Sequence, residues 1–162
     1  MPVLFSLCLI GVVVLIIMSR FAFARRLPSR TGRPVRFVDA ALIALGTLGL
    51  VFHCAAMFYR TAASSVPFAH PLVVAINAMG PASIALFVLP AVLLMIGLRR
   101  QHPVIITIEA LTLAAVGVTM YDHARLAAHL TAIFIAVVAL AAIVAFVVSR
   151  RPRRVDDNSL QA

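Results

Sequence analysis

Five long apolar blocks, each set off by a short polar or arginine-bearing stretch, constrain this chain more than any other feature. A helix that crosses a ~30 Å hydrocarbon core needs roughly 20 such residues. Helix is the required form because each segment must satisfy its own backbone hydrogen bonds in lipid. Spanning strands of a barrel would be about half that length and would alternate in polarity. The blocks fall at about residues 2–19, 38–59, 70–98, 104–121 and 126–148. They predict an all-α integral membrane protein: a bundle of five transmembrane helices within residues 1–149, then a basic, polar tail at 150–162 that is expected to be disordered. Composition agrees, since 64% of residues are hydrophobic and 12% charged, the wrong balance for a soluble globule.

A formal charge of +9 would in a soluble domain point to nucleic acid. Here the fourteen arginines sit almost entirely in short loops, so the charge is read as topological and no nucleic-acid partner is expected. Residues 20–36 carry six arginines, the next loop one (Arg60), the next two (Arg99, Arg100), the next one (Arg125) and the tail four. Taken alternately, 12 fall on one side and 2 on the other. The positive-inside rule then places the N-terminus outside and the C-terminus in the cytoplasm. Tyr59 and Tyr121 both fall at the outer boundary, where amphipathic rings anchor. The absence of lysine and the abundance of Ala, Val and Arg fit a GC-rich genome, and the expected location is a bacterial cytoplasmic (inner) membrane.

Two local features refine the plan. Ala22-Phe23-Ala24 resembles the cleavage site of a signal peptide. No positive charge precedes the first block, however, and Arg20, Arg25 and Arg26 follow it, the reverse of a signal's charge order, so it is read as a retained helix. In the third block Pro81 and Pro90 are expected to kink a single long helix.

Orientation gives distant residues a common depth. His53, Met57, His70, His123 and His129 all fall in the outer third or at the outer surface, and only His102 among the histidines faces the cytoplasm. His and Met are ligands for haem iron and for copper. On the second helix Gly46, Gly49, His53 and Met57 form one stripe; the glycines would leave a trough for a flat macrocycle or permit a close helix contact. On the fifth, His129 shares a face with Ala132 and Ala136, and Arg125 one turn outward could neutralise a propionate. Asp122 is a candidate acceptor for orienting an imidazole. Interfacial histidines that are merely solvated or hydrogen-bonded explain the same pattern without a cofactor. Cys8 and Cys54 lie at similar depth; a disulfide is conceivable, and free thiols packed as small apolar residues are the simpler account.

Glu109 lies about one and a half turns into the fourth helix, where an ionisable group is expensive and functional by default. It is expected to face the bundle interior, either neutral or paired with Arg99 or Arg100. Asn77 is expected to hydrogen-bond across helices.

The plan loosely resembles the five-helix cytochrome b subunits of the nitrate reductase gamma type, on His53 within residues 46–57 and His129 within residues 125–134. That resemblance implies an external N-terminus and haem-ligating histidines on the second and fifth helices. The family holds two haems on four histidines there, and this chain has one histidine on the second helix, so it implies a single outer haem. Nothing forms a nucleophile–base pair, so catalysis by the chain alone is not expected. The functional expectation is a small polytopic subunit or accessory protein of a larger membrane complex, in contact with lipids and other integral membrane subunits and holding one haem b or copper. The alternative is a small transporter or immunity-type protein that works through Glu109 and Asn77.

Overall fold

The computed structural model describes residues 2–22, 35–121 and 126–148. The basic loop, Asp122, His123, Arg125 and the tail assigned to disorder lie outside the described residues, apart from the loop's flanks. The elements are α1 (Pro2–Ala22), α2 (Phe37–Phe58), α3 (Arg60–Ser64), α4 (His70–Met79), a 3₁₀ turn (Gly80–Ser83), α5 (Ile84–Leu98), α6 (Pro103–Tyr121), α7 (Leu126–Ile143) and a π-helical turn (Val144–Val148). The chain is all-helical, with no strand among the described residues.

Among them, α1, α2, α6 and α7 with its π turn are each long and apolar enough to cross a membrane. The pair α4–α5 makes a fifth span only if counted as one bent element. This corrects the expected third helix over 70–98. The chain does not merely kink at Pro81; α4 and α5 are separated by a 3₁₀ turn and lie at 115° to each other. The cause is local. Gly80 takes a positive φ of 53°, outside the helical region, and Pro81 disfavours helical geometry at the residue before it. The short helix α3, in the loop after α2, was also not foreseen.

Glycine and proline lock α5 onto α2 in antiparallel register. A Cβ on Gly46 would lie 2.6 Å from Leu94 N and 2.7 Å from Pro90 O, and one on Gly97 would lie 2.9 Å from Asp39 O. The backbones are therefore closer than any other residue at those positions would allow. Of the two roles open to the Gly46/Gly49 stripe, close helix contact is the one present: Pro90 sits against Gly49. At the far end Arg99 Nη2 meets the buried Asp39 Oδ1 at 2.9 Å.

Neighbour contacts run α2, α5, α6, α7, α1, an open arc in chain order once α1 is placed last, whose two ends meet at Ser6 and Tyr59. Ser6 of α1 and Tyr59 after α2 share a hydrogen bond, Ser83 Oγ donates to Met120 Sδ at 3.9 Å, and Thr119 meets His129. The start of α1, the end of α2, the start of α5, the end of α6 and the start of α7 thus share one end of the bundle, called here the Tyr59 end. Asp39 and Arg99 mark the other. Leu4, Leu7, Leu15, Met18 and Phe21 of α1 point outward, as do Leu45, Leu48, Leu89 and Leu111 on other helices. Such a surface suits hydrocarbon and not water.

Candidate functional site

Inside the arc lies a cavity of about 330 Å³. Phe5, Ser6 and Leu9 of α1 wall one side and Thr47, Leu50, Val51, Cys54 and Phe58 of α2 another. Phe87 of α5, Leu113 and Val116 of α6, and Ile133, Ala136 and Leu140 of α7 complete it. The lining is almost wholly apolar, which follows from sequence: helices that are hydrophobic all round can leave only hydrocarbon where their packing is incomplete. Val51 is 57% exposed although it lines the cavity, so the space opens on the bundle surface beside α2, on the side towards α1. Thr47 spends its hydroxyl on Ile43 O at 2.7 Å.

Glu109 borders this cavity and is fully buried, at 0% exposure. Neither carboxyl oxygen has a hydrogen-bond partner. The expected pairing with Arg99 or Arg100 does not occur: Arg99 is engaged by Asp39 instead, a residue the sequence did not single out. A carboxyl in hydrocarbon with no donor is expensive in either protonation state, most of all when charged. Buried polar groups of this kind are rare enough that each calls for an explanation. The arrangement can accept a donor, or an opposite charge, from a guest.

The candidate histidines occupy the Tyr59 end. His53 is 2% exposed, its ring edge-on to Phe87 at 5.9 Å, and neither nitrogen has a partner. His129 is buried, tilted against Phe58 at 5.9 Å, with Nδ1 2.8 Å from Thr119 Oγ1. Thr119 Oγ1 also lies 2.9 Å from Ala115 O and 3.0 Å from Val116 O, so it joins His129 to the backbone of α6. Each histidine thus rests on an aromatic ring that itself lines the cavity. Met57 is half-buried one turn from His53. His70 is exposed at the start of α4, away from this cluster. His123 and Arg125 lie outside the described residues. Among the described residues no group of three or more His, Cys, Asp or Glu is placed to hold a metal ion.

Asn77 donates to Ala56 O at 2.9 Å, tying α4 to α2, and to Val73 O at 2.8 Å on its own helix. Cys8 faces outward and Cys54 lines the cavity, each as a free thiol. Sequence reasoning missed the Ser6–Tyr59 link, Thr119 and the aromatic wall. A threonine two residues before a helix end gives no hint of a histidine ten residues on; only the α6–α7 packing joins them.

Comparison with known protein families, curated proteins and solved structures finds no match to this chain.

Proposed function

We propose that this chain is a small multi-pass membrane protein that binds a hydrophobic molecule inside its bundle, with Glu109 as the polar anchor. The observation that carries the reading is a fully buried carboxyl with both oxygens unpartnered at the edge of an apolar cavity. Such a cavity with few convergent polar groups is the usual form of a small-molecule site, and its volume lies at the lower end of the customary ~300–1,000 Å³. The arginine distribution supports a bacterial cytoplasmic membrane with the N-terminus outside. Carriage or sequestration of the guest, in the manner of a small transporter or immunity-type protein, is the role this site fits.

The test is to extract the protein in mild detergent and identify bound small molecules by native mass spectrometry. Wild type should carry a hydrophobic adduct, and Ala136→Phe, which fills the cavity from α7, should lose it while remaining folded. An adduct retained unchanged by the filled variant would place the ligand elsewhere and end this reading.

A second reading, a subunit of a larger membrane complex with haem b or copper at His53 and His129, is favoured by one observation. Both histidines are buried, neither ring nitrogen of His53 has a partner, and the Thr119 bond holds the ring of His129 as an orienting partner would. Its test is the visible spectrum and copper content of wild type beside His53→Ala and His129→Ala.

A further inference from the structure

The dimensions of the cavity and the position of Glu109 together specify the guest. On α2 the lining runs from Thr47 to Tyr59. At 1.5 Å per residue that is roughly 18 Å of depth. An apolar space of that length seats an extended hydrocarbon chain along its walls.

The slot has chemical polarity along its length. Ser6 and Tyr59, which bond to each other, stand at one end, and Glu109 borders the part nearer the Arg99 end, with no Lys, Arg or His in the lining among the described residues. Thr47, the other polar group at that depth, has already donated to its own helix. A guest that completes the site must therefore bring hydrogen-bond donors, and a counter-charge if Glu109 is to ionise. An ammonium group does both. It offers three donors, and charge-assisted bonds to a carboxylate are roughly twice as strong as neutral ones. The low dielectric strengthens the pair further.

We propose that the slot binds single-chain alkyl amines taken laterally from the bilayer, through the opening beside Val51 between α1 and α2. This rests on the cavity reading above and names its substrate class. The neutral amine R–NH₂ crosses the hydrocarbon, and the Glu109 carboxylic acid gives it one proton. The product is an R–NH₃⁺ carboxylate pair, so no net charge enters the membrane. The chain then lies along Leu113, Ile133 and Leu50 towards the Tyr59 end.

The experiment compares n-dodecylamine with n-dodecanol, which has the same chain and no cationic form, on the full chain in lipid nanodiscs, with empty discs subtracted. Wild type should bind the amine at least about tenfold tighter than the alcohol. Glu109→Gln should erase that preference and leave alcohol binding in place, which also shows that the variant is folded. Val51→Trp, at the mouth, should slow uptake of both probes. Equal affinity for amine and alcohol in wild type would overturn the amine assignment and leave the cavity reading standing. If neither probe binds above empty discs, both fall. Preference for the amine that survives in Glu109→Gln would also overturn the assignment, because the selectivity would then come from another group.

Discussion

Glu109 holds two acceptor oxygens to which nothing among the described residues donates. Removing an unsatisfied buried group while keeping its volume is commonly neutral or stabilising, by about 1–3 kcal/mol. We therefore expect Glu109→Leu to make the ligand-free protein more stable, not less, although it removes the site. With no tryptophan in the chain, the readout is a thiol-reactive dye that reports thermal exposure of Cys54 in a Cys8→Ser background. A variant that melts earlier than its parent would mean that Glu109 has a stabilising partner in the membrane. The depth of Glu109 and its interior placement were legible from its position in an apolar run. Its lack of a partner was not. The sequence did not mark Asp39 as a competitor for Arg99, and it is the α2–α5 register that brings the two together.

At the scale of elements the α2–α5 pair shows what small residues do without a hydrophobic drive between helices. A Cβ on Gly46 would meet backbone atoms at 2.6 and 2.7 Å, and backbone cannot rotate aside as a side-chain tip can. Gly46→Ala should therefore push the helices apart and destabilise the bundle by about 1–3 kcal/mol. Gly11 on α1 has nothing within 4 Å of a Cβ, so Gly11→Ala should leave the melting point unchanged or raise it slightly, by helix propensity. Equal effects at both sites would show that the close α2–α5 contact does not form. Helix limits followed closely from the apolar runs, because a spanning segment is defined by its own residues: 38–59 against Phe37–Phe58, and 104–121 against Pro103–Tyr121. The reading failed at residue 80. Two prolines were treated alike, although Pro90 is received by the Gly46/Gly49 face of α2 and stays within a helix. Pro81 follows a glycine free to take positive φ, and the helix ends there.

The whole bundle is an arc of helices whose ends can be matched by contacts alone, and that makes its placement in a membrane testable at single residues. Tyr59, Ser83, Met120 and His129 share one end, and Asp39 with Arg99 the other. Since α5 runs along α2 from Gly97 opposite Asp39 to Phe87 opposite His53, it follows α2 for most of the bundle's length, while α4 bends away from it. Its 15 residues amount to roughly 22 Å, short of a ~30 Å core, and the 3₁₀ turn Gly80–Ser83 extends it. On this geometry α4 lies crosswise at the Tyr59 end, and residue 82 lies at that end of the bundle and not midway along a span. A single kinked helix over 70–98 would instead bury residue 82 in hydrocarbon. Ser65, Ala82 and His102 are all exposed, so each can carry a single cysteine in a Cys8→Ser, Cys54→Ser background. In intact cells a membrane-impermeant maleimide should label Ser65→Cys and Ala82→Cys, and His102→Cys only after permeabilisation. Reversed labelling of residues 65 and 102 would invert the orientation drawn from arginine bias. Labelling at 65 with none at 82 from either side would restore α4 as the first half of a bent span and remove α5 from the count of independent crossings.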